Sequence, residues 1–409
     1  MTSFRFIHAA DLHLGSPFRG LAQKDEAVAR RFAEATRNAF STLIDRAVEE
    51  KVDFVVIAGD VYDGEWKDNA IGLFFNREMA RLSREGIPVY VLKGNHDADS
   101  VVTKSVTLPE SVHQFDTRKP QTFQLDDLRV ALHGQGFSDR AATENLALKY
   151  PAPVPGWFNI GVLHTSLSGR PPHANYAPCT VEELQSRGYD YWALGHVHEF
   201  EIVAKHPSIV FPGNLQGRNI RESGAKGAVL VSVTDGRTQT IERLVVDDAR
   251  WHLAVIDVTG IGDLAELLSR VEASLAAAAA EADGRQVALR VQLHGATEIR
   301  PWLLSNRPAV FDELQAVGHR AHADIWLEKL ELRLDLPVVA APVVNGLELD
   351  ALVAAAAEDP VLLAAANELI RDVSAKLPAG LGASGFDTDV SALLAEAQAI
   401  VHERVTRGQ

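Results

Sequence analysis

The sequence predicts a layered α/β protein: a four-layer α/β/β/α sandwich, followed by a smaller α/β capping domain and C-terminal helices. Three observations carry this expectation. Buried-strand runs alternate with helical periodicity through the first hundred residues. Shorter strand-like pieces then follow, enough for a second sheet packed on the first between helical layers. The texture changes near Asp247-Asp248, where a new strand and helix alternation begins. At 409 residues the chain exceeds a comfortable single core, and the expected boundaries are 1–248, 249–335 and 336–409.

The first region reads as strand Phe4–Ala9, an amphipathic helix near Asp25–Glu50, strand Asp53–Ala58, helix Asn69–Arg84 and strand Pro88–Leu92. This βαβαβ order implies a parallel sheet. Strand-like pieces follow at Thr122–Leu125, Arg129–His133 and Asn159–His164, then a helix near Val181–Arg187 and strand Tyr189–Leu194. Runs at Ile209–Phe211, Gly227–Val233 and Gln239–Val246 read as a mainly antiparallel set. The second region reads strand Leu253–Val258, helix Asp263–Glu281, strand Gln286–Leu293, helix Glu298–Val317 and strand Ala323–Arg333. Leu336–Pro342 reads as a linker, because prolines bracket apolar residues that lack a helical period. Alanine-rich helices are expected at Leu349–Ala356, Val361–Ala375 and Val390–Val405; they are too short to be stable alone and need a surface to pack on.

The formal net charge is -15, which argues against a general basic surface for gripping nucleic acid. Metal-binding carboxylates account for part of that charge and would be neutralised by divalent ions. The single cysteine, Cys179, has no disulfide partner and no zinc-site spacing, so it reads as inert in a reducing compartment. The N-terminal stretch opens on strand-like residues without a basic and then apolar leader, and no run approaches membrane-spanning length. A cytoplasmic protein without a membrane partner is expected.

Chemistry concentrates in five short motifs: Asp11-Leu-His13, Gly59-Asp60, Gly94-Asn95-His96-Asp97, a lone His164, and Gly195-His196-Val197-His198. Each follows a buried-strand run, so its polar groups emerge at strand ends, where α/β sheets place ligand sites. Asp11 and His13 can converge on one ion. Asp60 can bridge two ions through its two oxygens. Asn95 offers a neutral oxygen, His164 a nitrogen, and His196 and His198 can each reach a different ion. Mixed oxygen and nitrogen donors suit manganese, iron or zinc better than calcium, and two ions about 3.5–4 Å apart would acidify a bridging water for in-line attack on phosphorus. His96 is the expected proton donor to the leaving oxygen, and Asp97 and Asp63 are expected to orient imidazoles. His8 and His133 read as structural.

The wording Ile7-His-Ala-Ala-Asp-Leu-His-Leu-Gly15, Gly59-Asp-Val-Tyr-Asp63, Gly94-Asn-His-Asp97, Leu163-His-Thr165 and Gly195-His-Val-His198 resembles the calcineurin-like metallophosphoesterases, in particular their SbcD-type DNA exonuclease branch. The resemblance implies one metal held by Asp11, His13, Asp60 and His198 and another by Asp60, Asn95, His164 and His196. It implies manganese as the cofactor, with iron, zinc or magnesium as alternatives. It further implies DNA as substrate, a DNA-facing role for residues 249–335, docking of an SbcC-like coiled-coil ATPase on the C-terminal helices, and a homodimer through the nuclease domain. Archaeal and eukaryotic relatives carry a histidine where this chain has Asp63. The stretch Phe211–Ile220, with Glu222–Gly227, is similar to a subgroup of bacterial SbcD-like proteins, and its Asn214, Arg218 and Arg221 are candidate nucleic-acid contacts. The alternatives are a cyclic-nucleotide or dinucleotide phosphodiesterase and a metal-bound scaffold without catalysis.

Overall fold

A computed structural model describes residues 3–16, 26–63, 69–97, 107–139, 143–167, 176–335, 355–356 and 358–376, with positions 390, 393–394 and 397–398. It divides into two compact units, residues 1–252 with 284–288, and residues 253–283 with 289–409.

In the first unit, strand β1 (Ser3–Ala9), helix α1 (Glu26–Glu49), β2 (Phe54–Ala58), helix α2 (Asn69–Arg84) and β3 (Val89–Leu92) form the expected parallel βαβαβ core. A short β4 (Val112–Gln114), which the sequence did not announce, extends it in parallel. The second sheet follows from β5 (Gln121–Leu125), β6 (Val130–Gly134), β7 (Phe158–His164), helix α3 (Val181–Ser186), β8 (Tyr191–Gly195), β9 (Glu201–Lys205) and β10 (Ser208–Phe211), in the spatial order β5-β6-β7-β8-β10-β9. Strands β11 (Gly227–Thr234) and β12 (Arg237–Val245) return to the first sheet, whose order is β12-β11-β1-β2-β3-β4. The antiparallel expectation holds for β11 against β1 and β12, but β10 lies parallel to β8 and antiparallel only to the unanticipated β9. Three apolar residues in β10 carry no signal for the direction of their neighbour.

Side-chain alternation along the strands builds the layers. Phe4 and Phe6 of β1, with Phe54 and Val56 of β2, point between the sheets and meet Phe158, Ile160 and Tyr191. Phe6 and Phe54 stack with ring centroids 4.9 Å apart. The opposite parity, Ile7, Val55 and Ile57, packs on Phe40, Leu43 and Phe75 of α1 and α2. The outer face of the second sheet buries Trp192, Leu163 and Phe211 against Tyr150 and Leu184. Helix, sheet, sheet and helix therefore stack in the anticipated four-layer order. Thr180 caps α3 in a reciprocal pair with Glu183, satisfying two otherwise free backbone donors.

The second unit contains most of a three-stranded sheet, in the order β13 (Ala249–Asp257), β14 (Gln286–Ala296) and β15 (Ile325–Asp335). Helix α4 (Leu264–Ala282) starts at Asp263, whose carboxylate accepts from the Glu266 backbone N–H at 2.8 Å. The single helix expected over Glu298–Val317 is instead two, α5 (Arg300–Ser305) and α6 (Arg307–Ala321). Pro308 lacks an N–H and would clash with the preceding turn, so it sits at the start of a new helix instead of inside a continuous one. Helix α7 (Pro360–Lys376) matches the helix expected at Val361–Ala375 and leaves Val361 and Leu369 exposed. The expected linker Leu336–Pro342, and most of the helices expected at Leu349–Ala356 and Val390–Val405, lie outside the described residues. No described helix is long and apolar enough to cross a membrane.

His8 shares the parity of Phe4 and Phe6 and is fully buried, with Nδ1 3.0 Å from the Tyr191 hydroxyl and Nε2 3.0 Å from the Leu194 carbonyl. Burial lowers its pKa to about 3, against the weaker raising effect of the Leu194 hydrogen bond. A folded-state value below the unfolded one means that the unfolded chain binds the extra proton as pH falls below about 6.5, so the stabilisation is present above that pH and lost below it. Urea unfolding of the wild type should show this residue contributing about 2 kcal/mol of destabilisation between pH 7 and pH 5. His8→Gln should remove that increment; an unaltered pH dependence in the variant would contradict the assignment.

Candidate metal centre

Two loops carry the first carboxylates. After β1 and β2 the chain turns sharply, and Asp11, His13 and Asp60 adopt φ values of +51°, +43° and +53°. Non-glycine residues seldom hold such a backbone without compensation. Here the compensation is mutual: the backbone N–H groups of Asp11, His13 and Leu14 donate to the carbonyls of Gly59, Asp60 and Val61 at 2.9–3.0 Å, zipping the loops together beyond the sheet. His196, after β8, is likewise at φ +98°, and its N–H donates to Asp11 Oδ2 at 2.9 Å. Glycine is required where the loops touch. A Cβ on Gly59, itself at φ +100°, would lie 2.3 Å from His164 Nδ1, and one on Gly94 would lie 2.2 Å from Asp60 Oδ1.

Asp11, His13, Asp60, Asn95 and His164 are all buried, at 4% exposure or less. Among the described residues, three sets of donor atoms lie mutually within 4.8 Å: Asp11, His13 and His198; His13, Asp60 and His96; and Asp11, Asp60 and His164. His13 Nε2 faces His198 Nε2 at 3.2 Å and lies 3.9 Å from Asp60 Oδ2, while His198 Nε2 lies 3.9 Å from Asp11 Oδ1. His164 Nε2 lies 3.0 Å from Asn95 Oδ1 and 3.5 Å from Asp60 Oδ2. The sequence-selected ligands therefore converge, with Asp60 common to both sides. His196 stands beside them, its ring centroid 5.2 Å from that of His164 and 5.1 Å from that of Tyr176.

The donor chemistry fits cations. His164 Nδ1 must donate, because its partner at 2.9 Å is the Ala58 carbonyl. In the neutral ring, Nε2 then presents a bare lone pair to two oxygens that also only accept. A cation or a proton among them would satisfy all three acceptors. Without a metal that role falls to a proton: burial opposes charging of His164, but the Asp60 and Asp11 carboxylates outweigh it and push the pKa up to about 9. Burial likewise raises Asp11, whereas at Asp60 the neighbouring His164 and His13 overcome burial and hold the carboxyl well below its usual range. His13 is lowered by burial and by Arg218, so it stays neutral with a lone pair to offer, and its buried Nδ1 has no hydrogen-bond partner among the described residues.

Around this floor stands a more accessible rim. The His96 side chain is 27% exposed, and its Nδ1 lies 3.1 Å from Asp63 Oδ1. The other Asp63 oxygen accepts from Ser16 Oγ at 2.7 Å and lies 3.6 Å from Arg218 Nη1. Asp63 thus lies against an imidazole, whereas Asp97 does not. Asp97 accepts from the backbone N–H groups of Val61, Tyr62 and Gly94 at 3.0–3.1 Å, bracing the loops that carry Asp60 and Asn95. Burial, with Asp60 nearby, raises its pKa to about 6.

Sequence reasoning missed Glu222. It lies in a short turn, Ile220–Glu222, in a stretch whose resemblance assigns it no role, yet its Oε1 is 2.9 Å from His198 Nδ1. Burial would raise its pKa, but hydrogen bonds from His198 and Arg218 outweigh it and hold the carboxyl far below its usual range. Two candidate nucleic-acid contacts are corrected here. Asn214 is fully buried and donates to Glu222 Oε2 and the Gln216 carbonyl, and Arg218 spends its guanidinium on Glu222 and Asp63. Arg221 is exposed. His133 is structural, held between Thr122 and Asn159. Cys179 is a buried free thiol, and burial pushes its pKa up to about 11.

Replacing Gly59 with alanine combines a forbidden backbone angle with a collision on His164. Urea unfolding should show a loss above about 1 kcal/mol. The variant should also bind fewer divalent ions per chain by mass spectrometry of the folded protein; wild-type stability and metal content would refute the steric argument.

Comparison with known proteins follows the same outline. Residues 4–200 match the calcineurin-like phosphoesterase family, and residues 251–335 match the middle domain of metallophosphoesterase YhaO. The chain is 37% identical over 339 residues to the uncharacterized metallophosphoesterase YhaO of Bacillus subtilis (strain 168), covering 82% of each chain. It is 25% identical over 277 residues to the DNA double-strand break repair protein Mre11 of Sulfurisphaera tokodaii, covering 64% of this chain and 67% of that one. It is 28% identical over 299 residues to the Mre11 protein of Methanopyrus kandleri, covering 65% and 62%. With two mixed sheets between helices and candidate ligand groups for two metals at their strand ends, the chain belongs to the calcineurin-like metallophosphoesterases, a family of metal-dependent phosphoester hydrolases.

Proposed function

We propose that this protein is a manganese-dependent phosphodiesterase that degrades DNA from its ends, as the nuclease subunit of a cytoplasmic complex with an SbcC-like coiled-coil ATPase. The observation that carries the hydrolytic reading is the His96–Asp63 pair at the rim of a buried donor cluster. In this reading Asp11, His13, Asp60 and His198 hold one ion, and Asp60, Asn95, His164 and His196 hold the other. Such ions, when bound, acidify water and hold phosphate oxygens for in-line displacement.

The chain's own residues supply the proton. Asp63 accepts from His96 Nδ1–H and raises the pKa of the ring, against the opposing effect of burial. The imidazolium therefore persists closer to neutral pH than a free histidine, with Nε2–H available to protonate the leaving oxygen of a phosphodiester. Ser16 and Arg218 hold the far side of Asp63, which keeps the ring in place as it changes charge. Asp97 keeps the Asp60 and Asn95 loops in register by gathering three backbone donors.

Similarity to the Mre11 proteins and the α/β unit at 249–335, which a small substrate does not require, support DNA as the substrate. The net charge of -15 supports a partner that brings the cationic DNA grip, and the exposed Val361 and Leu369 of α7 suit docking of that ATPase. Dimerisation through the first unit belongs to the same proposal. The second reading is a phosphodiesterase of cyclic nucleotides or dinucleotides, small substrates that need no extended cationic surface on a chain of net charge -15.

His96→Ala should leave two ions bound per chain while lowering turnover of a DNA substrate by about 10²- to 10⁴-fold. Unchanged nuclease activity would remove His96 as the proton donor. A purified protein that cleaves cyclic nucleotides but leaves single- and double-stranded DNA intact, with and without the ATPase, would establish the second reading instead.

A further inference from the structure

We infer that Glu222 is a positioning residue that fixes the tautomer of His198, with Nδ1 protonated and Nε2 left bare for the metal, and that it does so partly by keeping Arg218 away from Nδ1. The inference deepens the metal-centre reading and concerns the ion assigned to Asp11, His13, Asp60 and His198.

His198 Nδ1 has two neighbours of opposite demand. Glu222 Oε1 lies 2.9 Å away and can only accept, which requires Nδ1–H. Arg218 Nη2 lies 3.3 Å away and can only donate, which would require a bare Nδ1 and move the proton to Nε2. The second outcome would cap the very atom that faces His13 Nε2 at 3.2 Å. Three features favour the carboxylate. Its contact is the shorter, and its charge strengthens the bond. The same Oε1 accepts from Arg218 Nη2 at 2.8 Å, giving that N–H a better acceptor than the imidazole. The carboxylate is also held in place: its other oxygen receives Asn214 Nδ2 and the Arg218 backbone N–H, both at 2.9 Å.

Loss of the charge at Glu222 changes the competition. In Glu222→Gln the side-chain shape is kept, but Arg218 loses its strongest acceptor and is free to donate to Nδ1. In Arg218→Ala, by contrast, the carboxylate remains and, among the described residues, no competing donor is left. The two neighbours therefore have opposite predicted consequences, which a merely structural role for this turn would not produce. Ligating histidines commonly have such partners, and losing one typically lowers metal affinity about 10- to 100-fold.

The test is nitrogen-15 NMR of the histidine rings in the full-length, metal-free protein, with the His198 signals assigned by their absence in His198→Asn. Wild type and R218A should both show Nδ1–H with a bare Nε2, and E222Q should shift toward Nε2–H. A wild type that already carries Nε2–H overturns the proposal without reference to any variant, as does an E222Q protein with a native amide spectrum and the wild-type tautomer. Titration with manganese alone then separates this inference from the reading beneath it. Wild type should bind two ions, and E222Q should lose about 10- to 100-fold in affinity at one of them and retain the other. Two unweakened ions in E222Q overturn the positioning role. A wild type that binds no ion overturns the metal reading, whereas the tautomer result would stand apart from it.

Discussion

The site depends on one electrostatic fact: acceptors face acceptors in a place that water hardly reaches. Asp60, Asn95 and the bare nitrogen of His164 crowd together while the other nitrogen of that ring is committed to the Ala58 carbonyl. Such a grouping repels itself unless a cation or a proton lies inside it. The rest of the architecture can be read as what holds the grouping closed. Loops after β1 and β2 are laced by backbone hydrogen bonds, Asp97 gathers amides from two of the loops, and glycines at 59 and 94 let the chains come within a side chain's breadth of one another. The left-handed backbone at Asp11, His13, Asp60 and His196 is the local expense of pointing these groups at a common centre.

Much of this was legible because the constraint lies in short motifs at strand ends. Asp11, His13, Asp60, Asn95, His164 and His198 could be chosen from residue type and position alone, since each follows an apolar run that forces it out at the end of a sheet. What escaped notice depends on tertiary direction. Glu222 reaches His198 only because the turn after Gly217 folds back, held by the Trp251 indole N–H donating to the Gly217 carbonyl. Asn214 and Arg218 looked like surface contacts because their polarity showed and their partners did not. Asp97 has the same side chain as Asp63 and a different duty, set by which donors surround it. The course of β10 beside β8, and the break before α6, likewise depended on a neighbour and on a proline whose meaning is positional.

The centre separates its tasks by depth. Asp11, His13, Asp60, Asn95 and His164 are buried, whereas the ligand candidate His198 and the proton-handling pair His96 and Asp63 stand at a rim that solvent reaches. The partition has a physical basis. A proton donor has to exchange with water after each turnover, but a cation held by carboxylates gains from a low dielectric around it. The Arg218 guanidinium spans the two tasks, touching the carboxylate behind His198 and the one behind His96. The two rings therefore share one positive neighbour across the mouth of the site.

The return of β11 to the edge of β1 also bears on how the molecule is made. β1 pairs with β2 on one side within the first sixty residues, but its other neighbour is more than two hundred residues downstream. A ribosome releasing the chain from its N-terminus would expose β1 with one flank open until nearly the whole first unit had emerged. His198 and Glu222 appear only toward the end of that interval. A nascent chain that ends before His198 therefore lacks part of the cleft, and every side chain of the cleft has been released before β11 closes the first sheet.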